Sequence, residues 1–321
     1  YLVSSNGRLR RVCSANQRDM LFINDPATNA LTWMRAMRVH QWVKNLLIFL
    51  PLLAGHLVGD VNRLAQAVLA FAAFSLCASA IYIANDLLDL DADRAHKSKR
   101  KRPFAAGMIP ASSGVAAIAI LLFASFLIAT LLPWRFGIVL LGYVIVTTAY
   151  SFALKRQVVI DVMLLAGLYT LRIIAGAAAT SIMPSFWLLA FSMFVFLCLA
   201  MVKRVSELRP SAGGEISGRG YVPSDMAVLL SLGPGCGLVS VLILALYMQS
   251  DAVLLMYPSK GWLWLVPPVF LYWIVRLWLK ANRGEVEEDP VVFAMRDWQS
   301  LTIAGLIGIL AALALWGPAP W

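Results

Sequence analysis

Nine runs of mostly apolar residues constrain the fold of this chain, because each is about as long as a membrane span. An α-helix needs about 20 apolar residues to cross the hydrocarbon core. Backbone polar groups in lipid must bond within their own segment, and none of the runs alternates strictly as a barrel strand does. The sequence therefore predicts an all-α, polytopic membrane protein with a bundle of nine transmembrane helices. The runs cover residues 43–59, 64–87, 113–133, 136–154, 158–180, 185–202, 226–249, 262–280 and 300–317.

The amino-acid composition excludes most classes of soluble protein. Hydrophobic residues make up 60% of the chain and charged residues only 14%, against about 25% charged residues in a typical soluble domain. So few charges exclude a disordered chain, a coiled coil and a nucleic-acid-binding domain with a solvated basic face. The composition therefore predicts a lipid bilayer as partner and no nucleic acid.

Basic residues are concentrated on one side of the predicted bundle. Of the 27 Lys and Arg residues, 23 lie in the N-terminal tail, in alternate loops and at the adjoining helix ends. This positive-inside pattern predicts a multi-pass protein of the inner, cytoplasmic membrane with its N-terminus in the cytoplasm and its C-terminus outside. Thirteen of the 17 acidic residues crowd into the same loops and helix ends, not counting the tail, which predicts polar cap loops and a polar pocket at the cytoplasmic mouth.

The chain divides into two regions. Residues 1–30 are polar, of mixed charge, and lack the pattern of a signal peptide. The transmembrane domain is predicted to cover residues 31–321. Because the chain begins with Tyr1 rather than Met, we interpret the polar segment as a linker from an upstream domain.

An acidic motif ends the second apolar run. If the helix continues, Asp86, Asp89 and Asp93 share one face, with Asn85 beside them. Three carboxylates on one stripe repel each other unless a cation joins them. Mg²⁺ prefers oxygen ligands and typically uses one or two carboxylates together with substrate phosphates. The motif therefore predicts a magnesium site that binds a diphosphate.

A basic segment, residues 96–107, follows the acidic motif directly. Alone, such a segment is typical of a cytoplasmic loop or of contact with anionic lipids. Beside a metal-binding acidic helix it also supplies counter-charge for diphosphate oxygens. Lys99, Arg100 and Arg102 are the residues that we expect to bind those oxygens.

The fifth run carries a second polar pair. Asp161 opens the run, and Arg172 lies about three turns further along the same helical face. An arginine at this depth costs about 2.5–3.5 kcal/mol on insertion scales, so it should face the bundle interior. Asp161 is predicted to act in catalysis and in the metal network, and Arg172 to bind substrate, although a structural role for the buried pair is also open.

Polar residues also stand before the first run and after the sixth. Arg38, Gln41 and Asn45 share a face if the entrance is α-helical, with Lys44 beside them. Later in the chain come Lys203, Arg204, Glu207 and Tyr221. All of these are candidate substrate-binding residues. Acids of the last cytoplasmic loop are interpreted as loop residues, with Asp289 and Asp297 as minor candidates.

These residues resemble the UbiA superfamily of intramembrane prenyltransferases across residues 31–317. The resemblance depends on the acidic motif, the Lys-Arg-Pro-x-Ala-Ala-Gly segment that follows it and the nine helices. It implies a diphosphate substrate bound through Mg²⁺ at two acidic motifs and an isoprenoid chain within the bundle.

The second motif differs from that of the aromatic prenyltransferases, which tend to carry Asp-x-x-x-Asp. This chain has Tyr150, Lys155 and Asp161 instead. Together with the entrance residues 38–45 and the segment 203–208, this variant resembles the decaprenyl-phosphate phosphoribosyltransferase branch. That resemblance implies transfer of 5-phosphoribose from phosphoribosyl diphosphate to a polyprenyl phosphate, with Tyr150 and Lys155 in the substrate site. It also allows an upstream haloacid-dehalogenase-like domain and a homo-oligomer.

Two other functions stay open at this stage. An aromatic prenyltransferase would use the same acidic motif for a prenyl diphosphate donor. A transporter would distribute charges through the membrane depth on several helices, whereas only Arg172 lies deep in a run. The charges therefore favour an enzyme.

Overall fold

The computed structural model describes residues 29–96, 99–209, 220–286 and 289–318. The predicted polar segment lies almost entirely outside the described residues. Within them the chain forms helices joined by turns, and no strand occurs. The α-helices are α1 (Ala30–Ala36), α2 (Leu50–Ala54), α3 (Val61–Leu88), α4 (Leu90–Ala95), α5 (Ala111–Ala129), α6 (Trp134–Phe152), α7 (Ile160–Thr180), α8 (Phe186–Leu208), α9 (Met226–Tyr247), α10 (Asp251–Met256), α11 (Val266–Arg283), α12 (Pro290–Arg296) and α13 (Trp298–Trp316).

Short 3₁₀-helices extend or join several of these helices. They are Val39–Phe49, Lys99–Lys101, Leu154–Arg156, Pro223–Asp225 and Lys260–Leu265. With two of these extensions included, eight helices among the described residues are long and apolar enough to cross a membrane. The predicted polytopic, all-α fold is therefore confirmed, and the predicted helix count differs at the first span.

The first predicted span, residues 43–59, is built differently from the others. The chain forms a 3₁₀-helix over Val39–Phe49 and becomes α-helical only in α2. A 3₁₀-helix rises about 2.0 Å per residue, so Val39–Ala54 covers about 30 Å, close to the thickness of the hydrocarbon core. Sixteen residues therefore reach as far as an ordinary span.

The 3₁₀ geometry also changes which residues share a face. An α-helix would align Arg38, Gln41 and Asn45. Because a 3₁₀-helix repeats every three residues, Gln41 and Lys44 fall in one row and Asn45 lies a third of a turn away. The predicted shared face is wrong for this reason, and Lys44 and Asn45 reach different partners.

The chain forms two compact units, divided within α3. The first unit comprises Tyr1–His40 and Leu76–Ala124. Phe104 packs closely on Gly114, because a Cβ added at Gly114 would lie 2.7 Å from the ring of Phe104. Ser79 donates a hydrogen bond of 2.9 Å to the carbonyl of Met37, which fixes the end of α1 on α3. The buried core of this unit is formed by Ala36, Ile83, Phe104 and Ile109.

The second unit comprises Gln41–Ser75 and Ser125–Trp321. Its core is the packed centre of α7, α8, α9 and α11. Gly176 of α7 lets the 3₁₀ segment approach, because a Cβ there would collide with the carbonyl oxygen of Ile48. Gly233 of α9 likewise accommodates the ring of Trp278.

Candidate active site

The acidic motif forms a buried cluster in the first unit. Asp86, near the end of α3, and Asp93, in α4, are 3% and 2% exposed. Arg38 Nη2 donates to Asp86 Oδ1 at 2.6 Å. Arg102 Nη1 donates to the same oxygen at 3.2 Å and to Asp93 Oδ2 at 2.6 Å. Asp89 lies at the junction of α3 and α4 and is exposed.

The chemistry of this cluster fits a divalent cation. One nitrogen atom of Arg102 bonds to both Asp86 and Asp93, so the two carboxylates converge on a single positive group. Carboxylates that share a cation in this way suit Mg²⁺, which needs few protein ligands when a substrate supplies phosphate oxygens. In the described part of the chain, no three His, Cys, Asp or Glu side chains group together as a metal site. The cluster therefore offers two carboxylates and leaves the other ligand positions to water and substrate.

Among the described residues of the basic segment, Arg102 reaches the acidic cluster. Lys99 and Arg100, by contrast, are exposed in their 3₁₀ turn. Arg38 also lies over the ring of Tyr82, 5.1 Å from its centroid. Its backbone φ of 52° is in the left-handed region, which bulky residues rarely adopt. This turn directs Arg38 to Asp86.

Asp161 lies in a second buried cluster, in the other unit. Both Asp161 and Arg204 are 0% exposed, and Arg204 Nε lies 2.6 Å from Asp161 Oδ2. Tyr150 donates to Asp161 Oδ1 at 2.7 Å, and Arg204 also pairs with Glu207. The structure thus brings together four predicted site residues from α6, α7 and α8. The arginine neutralises the second acidic position from within the chain.

A strained turn precedes Asp161. Val159 has a φ of 70° and its amide donates to the hydroxyl of Tyr221 at 3.1 Å. Tyr221 is buried in the core of this unit. Gly220 allows the approach, because a Cβ there would lie 2.5 Å from the carbonyl oxygen of Arg156. Tyr221, predicted to bind substrate, holds this turn in the structure.

A third cluster joins two predicted lysines to Asp289. Lys44 Nζ lies 2.7 Å from Asp289 Oδ2, and Lys203 Nζ lies 3.1 Å from the same oxygen. The hydroxyl of Tyr169 is 3.1 and 3.3 Å from the two carboxylate oxygens. Asp289 also caps α12 by accepting from the amide of Val291 at 3.2 Å. We call Lys44, Lys203, Tyr169 and Asp289 the lysine cluster.

The lysine cluster keeps Asp289 ionised. Burial alone would raise the pKa of Asp289, but the charges of Lys203 and Lys44 and their hydrogen bonds outweigh burial. They hold the pKa of this carboxyl well below its usual 3.8. Among the described residues, two ammonium groups therefore face one carboxylate, which is an excess of positive charge.

Arg172 adds a further cation beside this cluster. It is 5% exposed and faces the interior, as its position in the fifth run predicts. Its Nε donates to Asn45 Oδ1 at 2.9 Å. The guanidinium lies 5.3–5.5 Å from the centroids of three aromatic rings, those of Phe74, Tyr143 and Tyr169. No ion pair among the described residues involves Arg172, and its charge is surrounded by the three rings, the Asn45 amide and the carbonyl of Leu168.

Three other predicted residues have no assigned role in these clusters. Gln41, Asn85 and Lys155 are half-buried. Sequence reasoning did not find Tyr169 and gave Asp289 only minor weight. Asp289 followed by Pro290 is a typical helix start, but such a signal does not show which cations a capping carboxylate meets.

The comparison with protein families agrees with this arrangement. The model of the UbiA prenyltransferase family matches residues 47–301. The chain belongs to the UbiA prenyltransferase family. This confirms the superfamily predicted from the acidic motif, and with the apolar helices it makes the chain a multi-pass membrane member of that family.

Three curated relatives of this UbiA-family chain carry different descriptions. The uncharacterized protein y4nM of Sinorhizobium fredii is 38% identical over 88% of this chain and 56% of its own length. Nodulation protein NoeC of Azorhizobium caulinodans is 35% identical over 86% and 91%. Decaprenyl-phosphate phosphoribosyltransferase of Mycobacterium tuberculosis is 37% identical over 57% and 62%. The chain thus spans little more than half the length of two of these relatives.

Solved structures confirm the fold of this family member. A UbiA homolog from Archaeoglobus fulgidus bound to DMAPP and Mg²⁺ has a TM-score of 0.63 at 18% identity, covering 88% of this chain and 97% of that chain. The likeness establishes the helical architecture.

Proposed function

We propose that this chain transfers 5-phosphoribose from phosphoribosyl diphosphate to a polyprenyl phosphate and releases diphosphate. The observation that carries the proposal is the excess of cations around Asp289 in the lysine cluster. A reaction between two phosphorylated substrates needs positive charge for a second anion besides the diphosphate. The similarity to the M. tuberculosis phosphoribosyltransferase supports the same reaction.

The acidic cluster suits the leaving group. Asp86 and Asp93 would hold Mg²⁺ with the diphosphate, and Asp89 is exposed beside them. The metal ion would neutralise the charge that develops on the leaving oxygen. Arg38 and Arg102 already donate to these carboxylates, and the same guanidinium groups would bind diphosphate oxygens, with Lys99 and Arg100 nearby in the chain.

The acceptor needs little activation. An oxygen of the lipid phosphate would attack C1 of the ribose while the bond from C1 to the diphosphate oxygen breaks. The phosphate is already ionised at neutral pH, so no residue has to remove a proton. Lys44 and Lys203 would orient this anion, and the apolar helices would hold the polyprenyl tail. We place the reaction at the cytoplasmic face of the inner membrane.

The decisive experiment supplies both substrates to purified protein. Protein in detergent is incubated with Mg²⁺, polyprenyl phosphate and labelled phosphoribosyl diphosphate, and labelled lipid is measured. Formation of labelled lipid is expected, and its absence would contradict the proposal. Prenyl transfer from a prenyl diphosphate to an aromatic acid in a parallel assay would identify an aromatic prenyltransferase instead.

Variants of the acidic cluster test the assignment of residues. Asp86→Asn and Asp93→Asn should each lower the transfer rate about 100-fold or more, because each removes a carboxylate that would hold the Mg²⁺ of the diphosphate. Asp91→Asn is the matched control, since the Asp91 side chain is fully exposed and pairs only loosely with Arg94 at 3.7 Å. Equal rates for all three variants would contradict the assignment.

A further inference from the structure

The lysine cluster holds its carboxylate in the manner of a bound anion. Oδ2 of Asp289 contacts the ammonium groups of Lys44 and Lys203. Oδ1 accepts from the Tyr169 hydroxyl and from the amide of Val291. Two ammonium groups, one hydroxyl and one amide thus converge on the side chain of one acid. Most of these donors would equally suit the oxygens of a phosphate.

The charges around Asp289 favour an anion with more charge than a carboxylate. Lys44 is buried and also contacts the Tyr169 ring, with its Nζ 5.6 Å from the centroid. The guanidinium of Arg172 lies 5.5 Å from the centroid of the same ring, and its charge acts on Lys44. Among the described residues, Lys44 and Lys203 therefore meet one carboxylate, and Arg172 is a third cation beside them. A phosphate monoester carries a charge of about −1.5 to −2 at neutral pH and would balance them better.

We propose that Lys44 and Lys203, with the Tyr169 hydroxyl, form a binding site for a phosphate monoester, and that the Asp289 carboxylate occupies this site until the phosphate displaces it. The proposal rests on the proposed function, which supplies two such groups: the 5-phosphate of the ribosyl donor and the phosphate of the lipid acceptor. Asp289 is then an internal competitor of one substrate.

Displacement requires little rearrangement of the fold. Asp289 precedes α12, whose Pro290 and Val292 are buried. Proline at the first helical position needs no capping partner for its own nitrogen, so α12 loses only the bond from Val291. The ligand has to displace one side chain, and the cost of doing so lowers its apparent affinity.

The variant Asp289→Asn distinguishes two roles of Asp289: a competitor of the phosphate, or a residue that only positions the lysines. Asparagine caps helices about as well as aspartate, but it lacks the charge that holds the lysines. Binding of ribose 5-phosphate and of farnesyl phosphate to the protein in detergent is measured by calorimetry, with ribose and farnesol as phosphate-free controls. A competitor predicts that one phosphate binds about tenfold more tightly to the variant. Unchanged or weaker binding would overturn the proposal.

Asp297→Asn is the matched control. Asp297 also caps a helix, α13, and pairs with Arg276 at 2.6 Å, so its replacement removes a similar buried ion pair elsewhere. Its phosphate affinity should equal that of the wild-type protein. Tighter binding to both variants would show a general effect of charge and would also overturn the proposal.

Wild-type protein provides a test that does not depend on folding of a variant. If the phosphate displaces Asp289, the Val291 amide loses its acceptor, and hydrogen exchange in the peptide Pro290–Arg296 should speed up when the phosphate binds. Unchanged exchange at saturating ligand would contradict displacement.

The two probes identify the source of the phosphate. Tighter binding of ribose 5-phosphate to Asp289→Asn assigns the site to the donor, and tighter binding of farnesyl phosphate assigns it to the acceptor. If neither probe binds to the wild-type protein or to the variant, the proposed phosphate site is contradicted. If the site behaves as expected but no labelled lipid forms in the transfer assay, the proposed function fails and the site stands. If labelled lipid forms but Asp289→Asn leaves phosphate binding unchanged, the site fails and the proposed function stands.

Discussion

Two buried arginines of α7 and α8 are stabilised in different ways. Arg204 meets the carboxylates of Asp161 and Glu207, whereas Arg172 meets an amide and three aromatic rings. In the first arrangement the guanidinium compensates the fully buried charge of Asp161, whereas the second leaves a positive charge in the interior. Asp161 therefore has a structural role in addition to the catalytic role predicted for it.

A double-mutant cycle measures that structural role. Removing one partner of a buried ion pair leaves an uncompensated charge and typically costs about 3–5 kcal/mol, whereas replacing both by apolar residues costs far less. Asp161→Leu and Arg204→Met should each lower the free energy of unfolding by about that amount, and the double variant should recover most of the loss. Unfolding of the protein in detergent, followed by fluorescence, provides the measurement.

Glu207→Gln is the control for this cycle. Its side chain is 30% exposed, so water can replace part of its contact with Arg204. A loss as large as that of Asp161→Leu would contradict the importance of burial. A double variant that regains stability but transfers no phosphoribose would separate the catalytic role of Asp161 from the structural one.

Sequence reasoning identified more of the site residues than of their partners. Asp86, Asp93 and Arg102 stand close together in the chain, so their spacing alone indicated a common cluster. Lys44 and Asp289 are 245 positions apart, and no local pattern connects them. Tyr169 lies in an apolar run, where a tyrosine is ordinary. Pairings across the bundle depend on packing, which hydropathy does not encode.

Among the helical elements, the 3₁₀ segment differs most from the structure that its sequence predicts. Its apolar content predicts an ordinary span and does not indicate its helix type. We attribute the difference to a tertiary contact, in which the backbone carbonyl of Ile48 lies against α7 at Gly176. Hydropathy reports that a segment enters the membrane but not how tightly it coils. Most ends of the other apolar helices lie within about four residues of the predicted ends, but the helix predicted to end at residue 202 continues to Leu208, because its last turns carry the charged residues of the second buried cluster.

Gly176→Ala tests whether this contact maintains the 3₁₀ segment. The added methyl group would collide with the backbone of Ile48, so the thermal midpoint should fall and transfer activity should fall with it. Gly167→Ala is the matched control in α7, since nothing lies within 4 Å of its Cβ position. Alanine there should be neutral or stabilise the helix by up to about 1 kcal/mol. Equal effects of the two substitutions would contradict the proposed contact.

For the whole molecule, the unequal distribution of basic residues predicts the orientation in the membrane. The loop that follows the acidic motif should face the cytoplasm, and the loop before α11 should face outward. Two exposed positions report this directly. Arg94 lies in the first of these regions and Lys260 in the second.

Cysteine labelling of intact cells provides the measurement. In a background with Cys13 and Cys236 replaced by serine, a membrane-impermeant maleimide should label Lys260→Cys without permeabilisation and Arg94→Cys only after it. Cys77 and Cys198 are buried and should add little background. Labelling of Arg94→Cys in intact cells would contradict the predicted topology.

The 3₁₀ geometry of Val39–Phe49 has a consequence for the lipid environment. If this segment relaxed to an α-helix it would shorten by about 5 Å, which is comparable to the difference in thickness between natural membranes. The shorter form would suit a thin bilayer. It would also rotate Lys44 away from the row that it shares with Gln41 in the 3₁₀-helix. Hydrophobic mismatch thus acts directly on the ionic contact between Lys44 and Asp289, so lipid thickness is a physical variable to which this enzyme should respond.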